Sequence, residues 1–177
     1  MIAAAVFIVL LSVSVILIVG NQGKERSASP EETGPSIDKG LIYLYFQDIN
    51  KRIERNRQIE FPQPLQTDSM TRLYLALAQK NTEKVPIQRA YISFPPNTTT
   101  FSGVKDKVSW QSTGRRDANE LFVVIGKAVG ADEEIALPPI DILFKHGGLY
   151  TISYMISLEG GEVVADDCTV NVTERIR

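Results

Sequence analysis

The feature that most constrains the fold is an alternation of apolar and polar residues near the C-terminus. Apolar side chains recur at even-numbered positions in two segments: Tyr150, Ile152, Tyr154, Ile156 and Leu158, then Val164, Cys168, Val170 and Val172. Successive side chains of a β-strand point to opposite faces, so each segment is predicted to be a half-buried strand. The glycines at 160 and 161 supply the positive φ of a tight turn, which predicts an antiparallel hairpin.

The same period of two extends over much of residues 58–149. Leu73, Leu75 and Leu77 alternate with smaller or polar neighbours, and prolines at 62 and 64 place the segment 59–65 at a sheet edge. About seven or eight short strands at intervals near ten residues are typical of an antiparallel sandwich. Residues 58–177 are therefore predicted to form a mainly β domain.

The C-terminal hairpin also resembles a known architecture. Gly148-Leu149-Tyr150-Thr151-Ile152-Ser153-Tyr154, followed by the two glycines and Val170-Asn171-Val172, is similar to the closing strands of an immunoglobulin-like or PKD-like bacterial β-sandwich. The resemblance implies a sandwich with Trp110 in a central core position, although the cysteine pair of antibody domains is absent. Families of this architecture are mostly adhesion, spacer or assembly modules, and the fold itself fixes no function.

The N-terminal segment is apolar from position 2 to position 19 except for Ser12 and Ser14, and no charged side chain precedes Lys24. A helix of roughly 20 residues spans a hydrocarbon core of about 30 Å. A cleaved signal peptide is the main alternative, but a basic n-region is missing. We predict a transmembrane helix in contact with membrane lipid over residues 1–22 and a flexible, polar linker over 23–36.

The side of the membrane on which the domain lies is predicted from the flanking charges and from the type of domain. Lys24 and Arg26 follow the apolar segment, and the positive-inside rule places such flanks in the cytoplasm. β-Sandwich domains on N-terminal anchors nevertheless commonly face outward. We expect a single-pass membrane protein whose domain lies outside the cytoplasm, with a membrane-tethered cytosolic scaffold or sensor as the alternative.

Residues 37–57 are predicted to form an amphipathic helix. Apolar residues recur there at the spacing of one helix face: Ile42, Tyr45, Phe46, Ile49 and Ile53. Residues 41–46 are apolar on every side, so a strand is the alternative. If the helix is exposed, its apolar side, formed by Tyr45, Ile49 and Ile53, is the predicted contact site for a protein partner.

Few residues of the sequence are candidates for catalysis or for metal binding. His146 is the only histidine and Cys168 the only cysteine, and His146 lies in a glycine-containing turn away from Cys168 in the sequence. A catalytic Ser-His-Asp or Cys-His arrangement, a blue-copper site and a zinc site all need more ligands or partners than these. We expect no catalytic residues, no cofactor, no metal site and no enzymatic activity.

The charge pattern argues against a nucleic-acid partner. The net charge is −2, and basic residues are interspersed with acidic ones. One basic cluster stands out, with Glu54 inside it, and is expected to be a solvated face or a contact to lipid headgroups or a partner. It contains Lys51, Arg52, Arg55 and Arg57.

The leading hypothesis is a non-enzymatic, membrane-anchored interaction module, an accessory or structural subunit of a membrane or envelope assembly. The alternative is an outer-surface domain that binds calcium through residues 132–134 and 166–167, or a glycan through aromatic side chains on one sheet face. The aromatic candidates are Tyr43, Tyr45, Tyr74, Tyr91, Trp110, Tyr150 and Tyr154. An enzyme would require carboxylates such as Asp141, Asp166 and Asp167 gathered in a cleft.

Overall fold

The computed structural model describes residues 37–114 and 119–176, which are almost entirely β-structure. The predicted anchor over 1–22 and linker over 23–36 lie outside these ranges, and no helix within them is long and apolar enough to cross a bilayer. One 3-10 turn, Lys39–Leu41, precedes the strands. The strands are β1 (Ile42–Phe46), β2 (Lys51–Arg52), β3 (Gln58–Ile59), β4 (Leu65–Gln66), β5 (Met70–Leu73), β6 (Leu75–Gln79), β7 (Val85–Phe94), β8 (Thr98–Ser102), β9 (Val104–Lys105), β10 (Val108–Ser109), β11 (Gln111–Ser112), β12 (Asn119–Val129), β13 (Glu134–Ala136), β14 (Ile140–Phe144), β15 (Gly148–Leu158) and β16 (Val163–Thr173).

The first layer is a seven-stranded sheet in the order β11-β12-β7-β15-β16-β3, with β4 also paired to β16. Strands β15 and β16 pair antiparallel from Gly148 opposite Val172 to Ser157 opposite Val163. The glycines of their turn have φ values of 93° and 86°. The predicted C-terminal hairpin is therefore confirmed.

The second layer consists of two sheets, β13-β6-β1-β2 and β5-β14-β8. The sheets adjoin because β5 is separated from β6 by one residue, and β13 from β14 by three. Ala136 lies opposite Ala76, whereas Ile140 lies opposite Leu73, so the register shifts by one residue between them. Pro138 and Pro139 cause the interruption, because proline has no backbone N–H to donate to a ladder.

The core lies between the layers. Phe46, Leu75 and Ile142 from the second layer join Ile92 and Ile152 from the first in one buried cluster. The mainly β prediction is confirmed, and the likeness to an immunoglobulin-like sandwich holds at the level of the fold. The described residues form sixteen strands where seven or eight were expected, because six of them are only two residues long and two longer strands are interrupted, β5 from β6 and β13 from β14.

Trp110 occupies a core position, as the resemblance implied. Only 3% of its surface is exposed. Its indole Nε1 donates a hydrogen bond to the carbonyl oxygen of Pro138 at 2.7 Å, which satisfies the one polar group of the side chain.

The amphipathic helix predicted for residues 37–57 is wrong. Ile42–Phe46 forms β1, which pairs antiparallel with β6, and a turn over 47–50 leads into β2. A segment that is apolar on every side satisfies a period of two as well as a period of 3.6. Pairing with β6 decides between them, and this contact is distant in the sequence.

The outer edge of β16 is covered by chain from far upstream. Strands β3 and β4 run parallel to β16, with Ile59 opposite Val170 and Leu65 opposite Val172. Pro62 and Pro64 lie in the loop between the two short strands. The predicted edge position of residues 59–65 is thus confirmed, as two short strands.

Candidate interaction face

The outer surface of the second layer carries three tyrosines, which together with two alanines we call the tyrosine face: Tyr43, Tyr45, Tyr74, Ala76 and Ala78. In β1, alternation sends Tyr43 and Tyr45 outward, opposite Ala78 and Ala76 of β6. The alanines leave room for the rings. Tyr45 is only 8% exposed, and it forms a small apolar cluster with both alanines outside the main core.

Tyr74 is the exposed member of this face. It separates β5 from β6, between Leu73 and Leu75, whose side chains are buried in the main core. Side chains on either side of a strand residue point to the opposite surface, so Tyr74 points outward and is 44% exposed.

A polar network fixes the Tyr45 ring. The Tyr45 hydroxyl donates to Glu134 Oε2 at 2.7 Å, and Lys80 Nζ donates to Glu134 Oε1 at 2.9 Å. Burial, and then Glu134, raises the pKa of Tyr45 to about 12, whereas Lys80 and then Tyr45 lower the pKa of Glu134. The phenol therefore stays a neutral donor to an ionised carboxylate, and the network holds the ring in place.

An arginine from the edge strand β2 stacks on the same surface. The guanidinium carbon of Arg52 lies 4.3 Å from the centroid of the Tyr43 ring. Tyr43 and Tyr45 meet edge to face with their centroids 6.3 Å apart. Arg52 Nε is buried, and no described residue bonds to it. The guanidinium is thus held in one orientation and partly removed from water.

A second ion pair lies beside Tyr74. Arg72 donates from Nε and Nη2 to the two carboxylate oxygens of Asp141, at 2.7 and 2.8 Å. Hydrogen bonding to Asp141, and then to Tyr74, raises the pKa of Arg72. An exposed pair such as this adds little stability, but its bidentate geometry orders the side chains that surround Tyr74.

A groove of about 250 Å³ opens at the β2 end of the tyrosine face. We call it the cationic groove, because three of its lining residues are basic and one is acidic. It is lined by Tyr43, Tyr45, Asn50, Lys51, Arg52, Arg57 and Glu134.

The three residues predicted to contact a partner are not on one surface. Tyr45 lies on the tyrosine face, Ile53 is 0% exposed in the core, and Ile49 is half-buried against that core. The exposed helical side that was expected to unite them does not form. Contact of these residues with a partner stays a prediction.

The aromatic residues considered for glycan binding lie in three different parts of the fold. Tyr43, Tyr45 and Tyr74 share the tyrosine face, whereas Trp110, Tyr150 and Tyr154 are buried in the core, each 3% exposed. Tyr91 lies on the first layer, beside Phe122. Sequence alone did not single out the face, because its formation depends on the pairing of β1 with β6.

The acidic residues considered for calcium or catalysis are not gathered into one site. Asp166 and Asp167 lie within β16 rather than at its end, and Asp141 is paired with Arg72 on the other layer. Glu133 accepts from the backbone N–H of Gly130 at 2.7 Å. Within residues 37–114 and 119–176, no group of three potential metal ligands occurs.

The only histidine of the sequence lies in a turn, and the only cysteine lies in the core. The His146 carbonyl accepts from the Tyr150 hydroxyl at 2.6 Å, which closes the turn before β15. Cys168 is 1% exposed, and burial raises the pKa of its thiol to about 12. A thiol this buried and this weakly acidic is a poor nucleophile.

No protein-family model matches the sequence, and no curated protein matches it. Among solved structures, a cohesin module from a Clostridium perfringens family 33 glycoside hydrolase is 12% identical, covering 76% of this chain and 98% of that one, with a TM-score of 0.46. A Nocardia farcinica protein of immunoglobulin-like fold is 9% identical over 64% of this chain and 95% of that one, with a TM-score of 0.47. A non-cellulosomal cohesin from Archaeoglobus fulgidus is 14% identical over 68% and 88%, with a TM-score of 0.39.

Proposed function

We propose that this chain is a non-enzymatic interaction module, anchored to a membrane, that presents its tyrosine face to a protein partner. The observation that carries the proposal is the face itself, on which exposed Tyr74 shares one outer surface with Tyr43 and Tyr45. Tyrosine and arginine are enriched at the centres of protein interfaces, because rigid rings bury area at a small entropic cost. Arg52 and Arg72, both ordered, border the rings.

The N-terminal part of the chain supplies the location in this proposal. Residues 1–22 anchor the protein in the bilayer as a single-pass helix, and the linker over 23–36 gives the domain a root-mean-square reach of roughly 20 Å. The domain faces away from the cytoplasm and acts as an accessory or structural subunit of a membrane or envelope assembly.

The partner contact is tested by site-specific photo-crosslinking of the full chain in its native membrane. A photoreactive residue replaces Gln47, whose backbone N–H bonds to the Tyr74 carbonyl at 2.8 Å, next to the tyrosine face. We expect one crosslinked polypeptide, lost with Tyr74→Asp and retained with the matched control Leu149→Asp. Leu149 is 68% exposed and lies on the first layer. Equal loss in both variants, or no crosslink, contradicts the proposal.

The membrane orientation is tested by labelling a cysteine at position 29, in the linker, on intact cells. A membrane-impermeant maleimide should modify the Ser29→Cys variant. Cys168, at 1% exposure, should not react in the folded chain. If labelling requires permeabilisation of the cells, a membrane-tethered cytosolic scaffold or sensor becomes the better account.

Glycan binding is the second candidate function, favoured by the placement of Tyr43 and Tyr74 on one sheet surface. Aromatic rings bind the apolar faces of sugars, and an exposed ring on the same surface as an ordered pair suits a short oligosaccharide. Titration calorimetry with soluble oligosaccharides tests this function. Heat of binding that disappears in Tyr74→Ala supports it, and the absence of heat with any of them excludes it for those sugars.

A further inference from the structure

The cationic groove has more positive charge than its own acidic residue neutralises. Lys51, Arg52 and Arg57 line it with one carboxylate, Glu134. Both oxygens of Glu134 are already engaged, one by Lys80 and one by Tyr45. The whole chain has a net charge of −2, so a local surplus of positive charge is not a general property of its surface.

Two of these cations have no acidic partner within the part of the chain that the structure describes. Among the described residues, neither Lys51 nor Arg52 forms a salt bridge. Arg57 is paired with Glu54 at 2.8 Å, on the surface. Cations that are ordered and unpaired attract an external anion, and their field strengthens where low-dielectric walls exclude water.

Arg52 is preorganised for such an anion. Its guanidinium carbon lies over the Tyr43 ring, 4.3 Å from the centroid, and its Nε is buried with no partner among the described residues. A stacked guanidinium presents its remaining N–H groups in a fixed fork that matches the two oxygens of a carboxylate. Because this group is already partly desolvated, binding an oxyanion costs less than it would at a fully hydrated arginine.

The groove is larger than a simple ion requires. A site for one water molecule needs about 10–15 Å³ measured in the same way, and the groove measures about 250 Å³. An acidic side chain with its backbone fits this volume. Asn50, which also lines the groove, supplies an amide that can bond to a peptide group.

We propose that the cationic groove binds a carboxylate of an acidic segment of the partner protein, while the neighbouring tyrosine face contacts apolar groups of the same segment. This inference rests on the proposed function, because it gives the chemistry of the partner. A peptide fits better than an anionic bilayer, since the net negative charge of the chain and Glu134 in the groove wall both oppose a densely charged lipid surface.

The test uses the full chain in an uncharged detergent and a capped hexaglutamate peptide as the probe, with binding followed by fluorescence anisotropy. Arg52→Gln should weaken binding by about tenfold, the loss expected for one charge-assisted hydrogen bond. Lys51→Gln should weaken it by a smaller factor. Arg55→Gln is the matched control, an exposed cation of the same segment that does not line the groove, and should change affinity less than twofold.

Four results overturn the inference. The first is binding that is insensitive to both Arg52→Gln and Lys51→Gln. The second is equal weakening by the Arg55→Gln control, which would indicate a diffuse charge effect. Arg52-dependent binding to phosphatidylserine nanodiscs without binding to hexaglutamate would assign the groove to lipid headgroups. A crosslink at position 47 that needs Tyr74 but not Arg52 would leave the proposed function standing and refute only this inference. Unchanged urea midpoints verify that each variant is folded.

Discussion

Replacing Ile53 by alanine tests the position of the 37–57 segment most directly. Ile53 is 0% exposed, and its backbone N–H bonds to the Leu44 carbonyl at 3.1 Å. Truncation of a buried isoleucine to alanine costs about 2–5 kcal/mol, from lost transfer free energy and the cavity left behind. Ile53 follows the edge strand β2, where neighbours can relax, so we expect a loss of about 2–3 kcal/mol.

The assay is equilibrium urea unfolding of the full chain in detergent, followed by tryptophan fluorescence. Trp110 is the only tryptophan and is buried in the same core, so its emission reports on the domain alone. With a denaturant slope of about 1–3 kcal/mol per molar urea, the expected loss lowers the midpoint by about 0.7–3 M. Ile53→Val should lower the free energy of unfolding by only about 1 kcal/mol.

The control is Ile176→Ala. Ile176 is 96% exposed, and surface changes of this kind usually alter stability by less than about 0.5 kcal/mol. On an exposed helix, Ile53→Ala would be neutral or stabilising, because alanine has the higher helix propensity. An Ile53→Ala midpoint within error of the unsubstituted chain would therefore refute the buried placement and restore the residue to a surface role.

Three further predictions concern titration, thiol chemistry and packing. Burial raises the pKa of Tyr154 and of Cys168 to about 12, from ordinary values of 10.0 and 9.0. Their contribution to stability should therefore be complete below pH 9 and lost as the pH rises toward 12, so a urea midpoint that stays constant across this range would contradict the burial. The Cys168 thiol should react with Ellman's reagent only in unfolding concentrations of urea, and rapid reaction of the native chain would show an open β16 edge. Gly103→Ala should cost about 1–3 kcal/mol by thermal or urea unfolding, because a Cβ there would lie 2.7 Å from Pro139 Cγ; an unchanged midpoint would mean that Pro139 moves freely.

The C-terminal hairpin was predictable because its signals are local. Strict alternation from Tyr150 to Leu158 and two adjacent glycines specify strand, turn and strand without reference to the rest of the chain. The buried even-numbered side chains of β15 and the exposed or half-buried odd-numbered ones match the period of two. A mainly β domain followed from repeating the same reasoning upstream.

The segment 37–57 was not predictable in the same way. In residues 41–46 every side chain is apolar, so periodicity cannot distinguish two faces. The deciding contact is the pairing of β1 with β6, in which Tyr45 lies opposite Ala76, about thirty positions away. Small residues opposite the two tyrosines were visible in the sequence, but their significance depends on this register.

The tyrosine face and the cationic groove also depend on pairing between separate strands. Arg52 was identified within a basic cluster, yet its position over Tyr43 requires the turn over 47–50 and the pairing of β2 with β1. Asp166 and Asp167 were considered as calcium ligands, and the length of β16 places them within a strand, away from the other candidate carboxylates. Local propensity finds elements, whereas sites formed by several elements depend on contacts that no short window contains.

The covering of β16 by β3 and β4 makes folding of this domain depend on the order of its synthesis. The Thr173 hydroxyl bonds to the Leu65 carbonyl, 108 positions earlier in the chain. During translation β3 and β4 emerge long before β16, and pairing across such a separation is slow. Until Val163–Thr173 has been made, the open edge of β15 is a template for a strand from another copy. Collapse before β16 is available would therefore leave this edge open to pairing between copies.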